Sequence, residues 1–356
     1  MPSVSTIQAS IAKLPEGPPL VVALVGGTTG IGSYVARALA TTFKNHGSKL
    51  RVYLLGRNAT RAETHLKYGH ETSPGSDWRF IQVSDLSLIS GVDQAVKTII
   101  EQEHAAPFAG GPPRLDLLYM SQALSPMQES PTTKEGIDAQ MSLLYYSRIR
   151  FIEQLTPLLT AAPTPAHVIS IFAGNMEDSI KPNQPPIGPP SPKDYGITSV
   201  RCHTTFMKTF LFEELAEKHA GKISFIHIYP GLVDGPNFYS DVNPLWFRLV
   251  WRVVKPLVSW YMTKPELCGQ VMLSLATDRY PPKGTVGQGG SSKGANGSVA
   301  YSTQRQLGGG VYAVGMRGDE NKDVSYAKIR KSDTAKKVWD HTFDTLKKAA
   351  GKGGAA

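Results

Sequence analysis

Six short apolar runs set the rhythm of this chain: LVVALV (20–25), LRVYLL (50–55), WRFIQV (78–83), LDLLYM (115–120), HVISIF (167–172) and ISFIHIY (223–229). Helical patterns lie between them, in GSYVARALATTF, SGVDQAVKTIIEQEH, DAQMSLLYYSRIRFIEQLTPLL and a stretch that begins at Tyr195. Apolar strands separated by amphipathic helices predict an α/β fold, a single parallel sheet covered by helices on both faces. Near the C-terminus GGGVYAVG reads as a last short strand, and SDTAKKVWDHTFDTLKKAA as a closing helix capped by Ser332 or Asp333.

Two segments interrupt the pattern. Residues 175–194 carry six prolines and read as an extended loop, and residues 281–298 are rich in Gly and Ser. The expected organisation is an N-terminal extension (1–17), one nucleotide-binding domain (18–280), a flexible loop (281–309) and a terminal strand and helix (310–350). The 356 residues are 41% hydrophobic and 19% charged, enough apolar material for a large core. The net charge of +9 is spread along the chain. Its densest run, YAKIRKSDTAKK, reads as a solvated surface, so no nucleic-acid partner is expected. Two distant cysteines, Cys202 and Cys268, make neither a disulfide framework nor a zinc site. With no signal-peptide pattern or bilayer-length apolar run, the expected location is cytoplasmic.

The sharpest local motif is LVVALVGGTTGIGSYVARALA. Gly26, Gly30 and Gly32 fall between the first strand and the first helix. Glycines there let the backbone turn and approach a pyrophosphate that rests on the helix N-terminus. The second strand ends in LLGRN, so Arg57 stands where an acidic residue would hold a ribose 2′-hydroxyl. A guanidinium suits a 2′-phosphate, favouring NADP(H), although a plain surface arginine fits the same position. Asp85, after the third strand, suits either an adenine amino group or the cap of the next helix.

These segments, with MSQA (120–123) and YPGLV (229–233), resemble the short-chain dehydrogenase/reductase family over residues 18–280, and most of all its fungal members associated with secondary metabolism. The resemblance implies one Rossmann-type doubly wound sheet and hydride exchange between NADP(H) and an alcohol or carbonyl. It implies cofactor contacts from Thr28 and Ile31 in the glycine loop, Ser121 after the fourth strand, and Pro230, Gly231 and Val233 after the sixth. The catalytic half of the family pattern is broken. Tyr195 stands for the tyrosine, but Ser199 occupies the lysine position. Ser170 precedes the usual serine place, held by Ile171, and Leu144 replaces the asparagine. Counting turns from Tyr195 leaves His203 as the ionisable side chain on its face, with Arg201 pointing away. Tyr195, Ser170 and His203 are therefore the candidate catalytic residues, and each also has a structural reading: a packed tyrosine, a serine capping a strand end and a packed helix histidine.

After YPGLV, residues 232–262 hold Trp246, Phe247, Trp251, Trp260, Tyr261 and Met262, interrupted by Arg248, Arg252 and Lys255. A lid over a bulky hydrophobic substrate, a membrane-surface helix and a homo-oligomer interface all fit this composition. The leading functional expectation is an NADPH-dependent ketoreductase or alcohol dehydrogenase. A non-redox isomerase, cyclase or dehydratase on the same scaffold, and a non-enzymatic NADP-binding protein, are the alternatives.

Overall fold

A computed structural model describes residues 2–125, 128, 130–172, 185–241, 243–286, 293–294, 297–320, 330 and 333–353. Residues 175–184 of the proline-rich segment, 287–292 and 295–296 of the Gly/Ser-rich segment, and 326–329, 331 and Ser332 of the basic run lie outside the described residues. Seven parallel strands form one sheet: β1 (Leu20–Val25), β2 (Leu50–Gly56), β3 (Asp77–Gln82), β4 (Leu117–Met120), β5 (Ala166–Ile171), β6 (Ile223–Ile228) and β7 (Val311–Val314). Their order is β3-β2-β1-β4-β5-β6-β7. Every residue of β1, β2, β5 and β6 is buried, which is why apolar side chains dominate both faces of these runs rather than alternating with polar ones.

One face carries α1 (Val4–Ala12), α2 (Gly30–Thr42), α3 (Ala59–Thr72) and α8 (Pro265–Ser274). The other carries α4 (Ile89–Ala105), α5 (Ser147–Thr160), α6 (Ile197–Lys218) and α9 (Thr334–Gly353). The remaining helix, α7 (Leu245–Val258), is described with the site below. This is the doubly wound α/β architecture expected from the sequence. The residues before 18 do more than extend the chain. Ser3 Oγ accepts from the Thr6 amide at 3.1 Å and starts α1, whose Ile7 and Ile11, one turn apart, are buried. The closing helix α9 spans the other face through buried Val338, Leu346 and Ala349, and Thr342 and His341 meet the hydroxyls of Tyr145 and Tyr146 at 2.7 and 2.8 Å.

The helical run into α5 widens to a π turn at Ser142–Tyr146. α6 begins at Ile197, with Gly196 as its cap, so Tyr195 lies ahead of the helix. The turn count from Tyr195 therefore does not apply to the residues that follow it.

Candidate active site

Between β1 and β4 the winding of the sheet reverses, and the C-terminal ends of the strands open a crevice there. Glycines shape its floor. Gly26 has φ +76°, and a Cβ on it would lie 2.9 Å from the Gln122 amide nitrogen. A Cβ on Gly32 would come within 2.5 Å of the Gly26 carbonyl oxygen and 2.6 Å of Ser121 Oγ. Gly30, φ +54°, opens α2 and leaves its first amides facing the loop. Ser121 Oγ lies 3.1 Å from both the Val25 and Gly26 carbonyls, tying β4 to the loop. Thr28 is buried against Gly56, where a side chain would meet it at 2.6 Å, and Ile31 packs partly buried on the α2 face. These residues fit a dinucleotide pyrophosphate: the backbone is bare where a phosphate must approach, and a helix N-terminus faces it.

Arg57 is exposed at the end of β2, and its guanidinium has no partner among the described residues. Asp85 accepts from the Ser87 amide at 2.8 Å and Ser87 Oγ at 2.7 Å through a single oxygen, Oδ1, so it shapes the turn after β3. On the far side, Pro230 is buried. Gly231 has φ +71°, with Met316 where a Cβ would fall, and Val233 bridges to Thr263.

The three candidate catalytic side chains are not gathered together. Tyr195 is exposed and donates to Asp138 Oδ2 at 2.7 Å, and burial together with that bond pushes its phenol up to about 12. That direction opposes what a base near neutral pH requires. Ser170 is fully buried, and its Oγ accepts from Arg148 at 2.8 Å. His203 Nδ1 donates to the Gly188 carbonyl at 2.8 Å, and Ser199 Oγ bonds back to the carbonyls of Asp194 and Gly196. None of these contacts links one candidate to another.

Two arginines occupy the strand ends instead. Arg148, on α5, is wholly buried and donates to the Leu143, Gln122 and Ile171 carbonyls and to Ser170 Oγ at 2.7–2.9 Å. All four acceptors are neutral, and burial pulls its pKa down to about 9, which leaves it cationic at pH 7. Arg201, on the second turn of α6, lies 5.1 Å from the centroid of the Phe172 ring and 5.3 Å from that of Tyr229, at the ends of β5 and β6. Its Nε is buried without an acceptor among the described residues, a state that costs about 1–3 kcal/mol. Phe172 has φ +115°, a backbone strain of the kind that collects at functional positions. The sequence held one signal for Arg148: its helix-face neighbours Leu144, Phe151 and Ile152 are all apolar. For Arg201 the start of α6 had first to be known.

Above this end, α7 follows a short 3-10 turn at Pro236–Tyr239. Trp251 stacks on Phe238 at 4.2 Å, Lys255 pairs with Asp234 at 2.9 Å, and the Asp234 carbonyl accepts from Tyr34. Leu245, Leu249, Val253 and Leu257 face outward, 50–71% exposed. Among the described residues no helix is long and apolar enough to cross a membrane, and no side-chain group could hold a metal.

No family model matches the chain. It is 53% identical over 354 residues to the short-chain dehydrogenase/reductase SAT2 of Stachybotrys chartarum, covering 99% of each chain. The chain belongs to the short-chain dehydrogenase/reductase family. It is also 32% identical over 356 residues to oxidoreductase AN1596 of Emericella nidulans, covering 98% of this chain and 99% of that one. Among solved structures it shares the fold of the RhlG/NADP active-site complex of Pseudomonas aeruginosa, with a TM-score of 0.51, 19% identity and coverage of 75% and 92%. The NADPH-dependent 3-quinuclidinone reductase of Rhodotorula rubra gives 0.52 and 18%, covering 75% and 88%. The Rossmann-type sheet is thus shared with both solved structures, and the glycine loop of this short-chain dehydrogenase/reductase sits at its switch point.

Proposed function

We propose that this protein is an NADP(H)-dependent oxidoreductase that interconverts a carbonyl and an alcohol on a bulky, largely apolar small molecule. The glycine floor, with Gly26 and Gly32 too close to Gln122 and Ser121 for any side chain, carries the reading. Gly26, Gly30 and Gly32 would take the pyrophosphate, Arg57 the 2′-phosphate, and Ser121 with the Pro230–Val233 strip the nicotinamide end. Bound NADP(H) supplies or accepts the hydride. The protein's part is to hold the substrate oxygen and manage its proton. Tyr229, at the end of β6, has the Arg201 guanidinium 5.3 Å from its ring centroid. It is a better proton donor candidate than Tyr195, whose hydroxyl is committed to Asp138. Aromatic Phe238 and Trp251 on the α7 arm supply apolar surface for a large substrate. NADPH consumption against a panel of bulky ketones, with mass detection of products, tests the reading. Turnover that survives Tyr195→Phe and falls at least tenfold in Tyr229→Phe supports it, whereas mass-neutral products without NADPH consumption favour an isomerase or cyclase.

A further inference from the structure

Among the described residues, the second half of the crevice holds two guanidinium groups and no carboxylate in contact with either. Arg148 bonds only to three carbonyls and a hydroxyl. Arg201 makes no hydrogen bond or ion pair within the described residues and is held by two aromatic faces, with Nε directed at no acceptor. Elsewhere the protein neutralises its partly buried arginines. Arg51 meets Asp77 and Glu103, Arg114 meets Asp116, Arg150 meets Asp93, Arg279 meets Glu320, and Arg330 meets Glu213. Ile171, whose carbonyl accepts a hydrogen bond from Arg148, directly precedes Phe172, on which Arg201 rests. The two uncompensated charges thus flank the end of β5. In a low-dielectric crevice their fields add, and a planar guanidinium between two rings presents its N–H edge to a planar anion.

We propose that Arg201 is the recognition residue for an anionic group on the substrate, a carboxylate or an enolate, so that the enzyme acts on acidic rather than neutral hydrophobic compounds. The proposal rests on the reading of the crevice as an NADP(H)-dependent site, and it adds the substrate's charge to that reading. Arg148, wholly buried at the same strand end, adds a fixed positive charge that is itself shut away from solvent. Aromatic rings on both sides favour an anion carried on an aromatic or conjugated skeleton.

Calorimetry with 2-naphthoate and its neutral isostere 2-naphthamide, on protein saturated with NADP+ and on protein alone, tests this. The expected result is at least tenfold tighter binding of the carboxylate, weakening as salt rises. Arg201→Met should erase the preference, and Arg201→Lys should keep part of it, with thermal unfolding showing all three proteins folded. Equal affinity for the two ligands in the parent protein, or a preference that survives Arg201→Met, overturns the proposal. An NADP+ titration without response overturns the functional reading instead. A carboxylate preference that depends on Arg201 in the cofactor-free protein would still sustain the anion site.

Discussion

At the scale of single residues, the crevice depends on positions where no side chain fits. Gly26→Ala places a Cβ 2.9 Å from the Gln122 amide at φ +76°, so it should lower stability by about 2 kcal/mol or more and abolish nucleotide binding. Thermal unfolding and a fluorescence titration measure the two effects. Arg148→Met strands four acceptors while relieving the burial of a charge, so the net loss falls short of the sum of the bonds, about 2–4 kcal/mol by denaturant unfolding. Arg148→Lys should not restore it, because an ammonium cannot span the Gln122, Ile171 and Ser170 acceptors together. The glycines were legible in the sequence because their spacing between strand and helix has a single mechanical explanation. Arg201 was not, since its direction depends on where α6 begins, and a two-residue error turns a helical face by about 200°.

At the scale of elements, the apolar runs gave β1, β2, β5 and β6 to within a residue, because strands buried on both faces have no alternative composition. The helix α1 was hidden, since its pair of isoleucines is too short a pattern to stand out from a loop. Burial has a price inside β5, where His167 is enclosed and its pKa falls from 6.5 to about 4. A lowered folded-state pKa means that the unfolded chain binds the proton first. Stability from the neutral ring is full above pH 6.5 and is lost as pH falls toward 4. Asp116, raised from 3.8 to about 6 by burial, acts in the opposite sense over nearly the same range, so the intact protein hides the effect. Comparing His167→Gln with the parent exposes it: the parent's advantage should shrink by about 2–3 kcal/mol between pH 7 and pH 4 in denaturant unfolding. Removing α9 would bare the surface that Val338, Leu346 and Ala349 cover. A chain ending at residue 332 should lose at least about 4 kcal/mol and aggregate, as read by thermal unfolding and size-exclusion chromatography.

At the scale of the whole molecule, the sheet reverses between β1 and β4, with Gly26 and Arg57 toward one side of that point and Arg201 and Tyr229 toward the other. The α7 stripe lies outside that core. Val253, 71% exposed, contributes nothing to it, so Val253→Glu should leave stability within about 0.5 kcal/mol while testing whether the stripe meets substrate, membrane or a second copy. Binding of NADP(H) in the crevice is read by titrating intrinsic tryptophan fluorescence with NADPH and NADH. Saturable binding with NADPH at least tenfold tighter is expected, and the difference should close in Arg57→Ala. No response to either nucleotide, or tighter binding of NADH, would contradict that expectation.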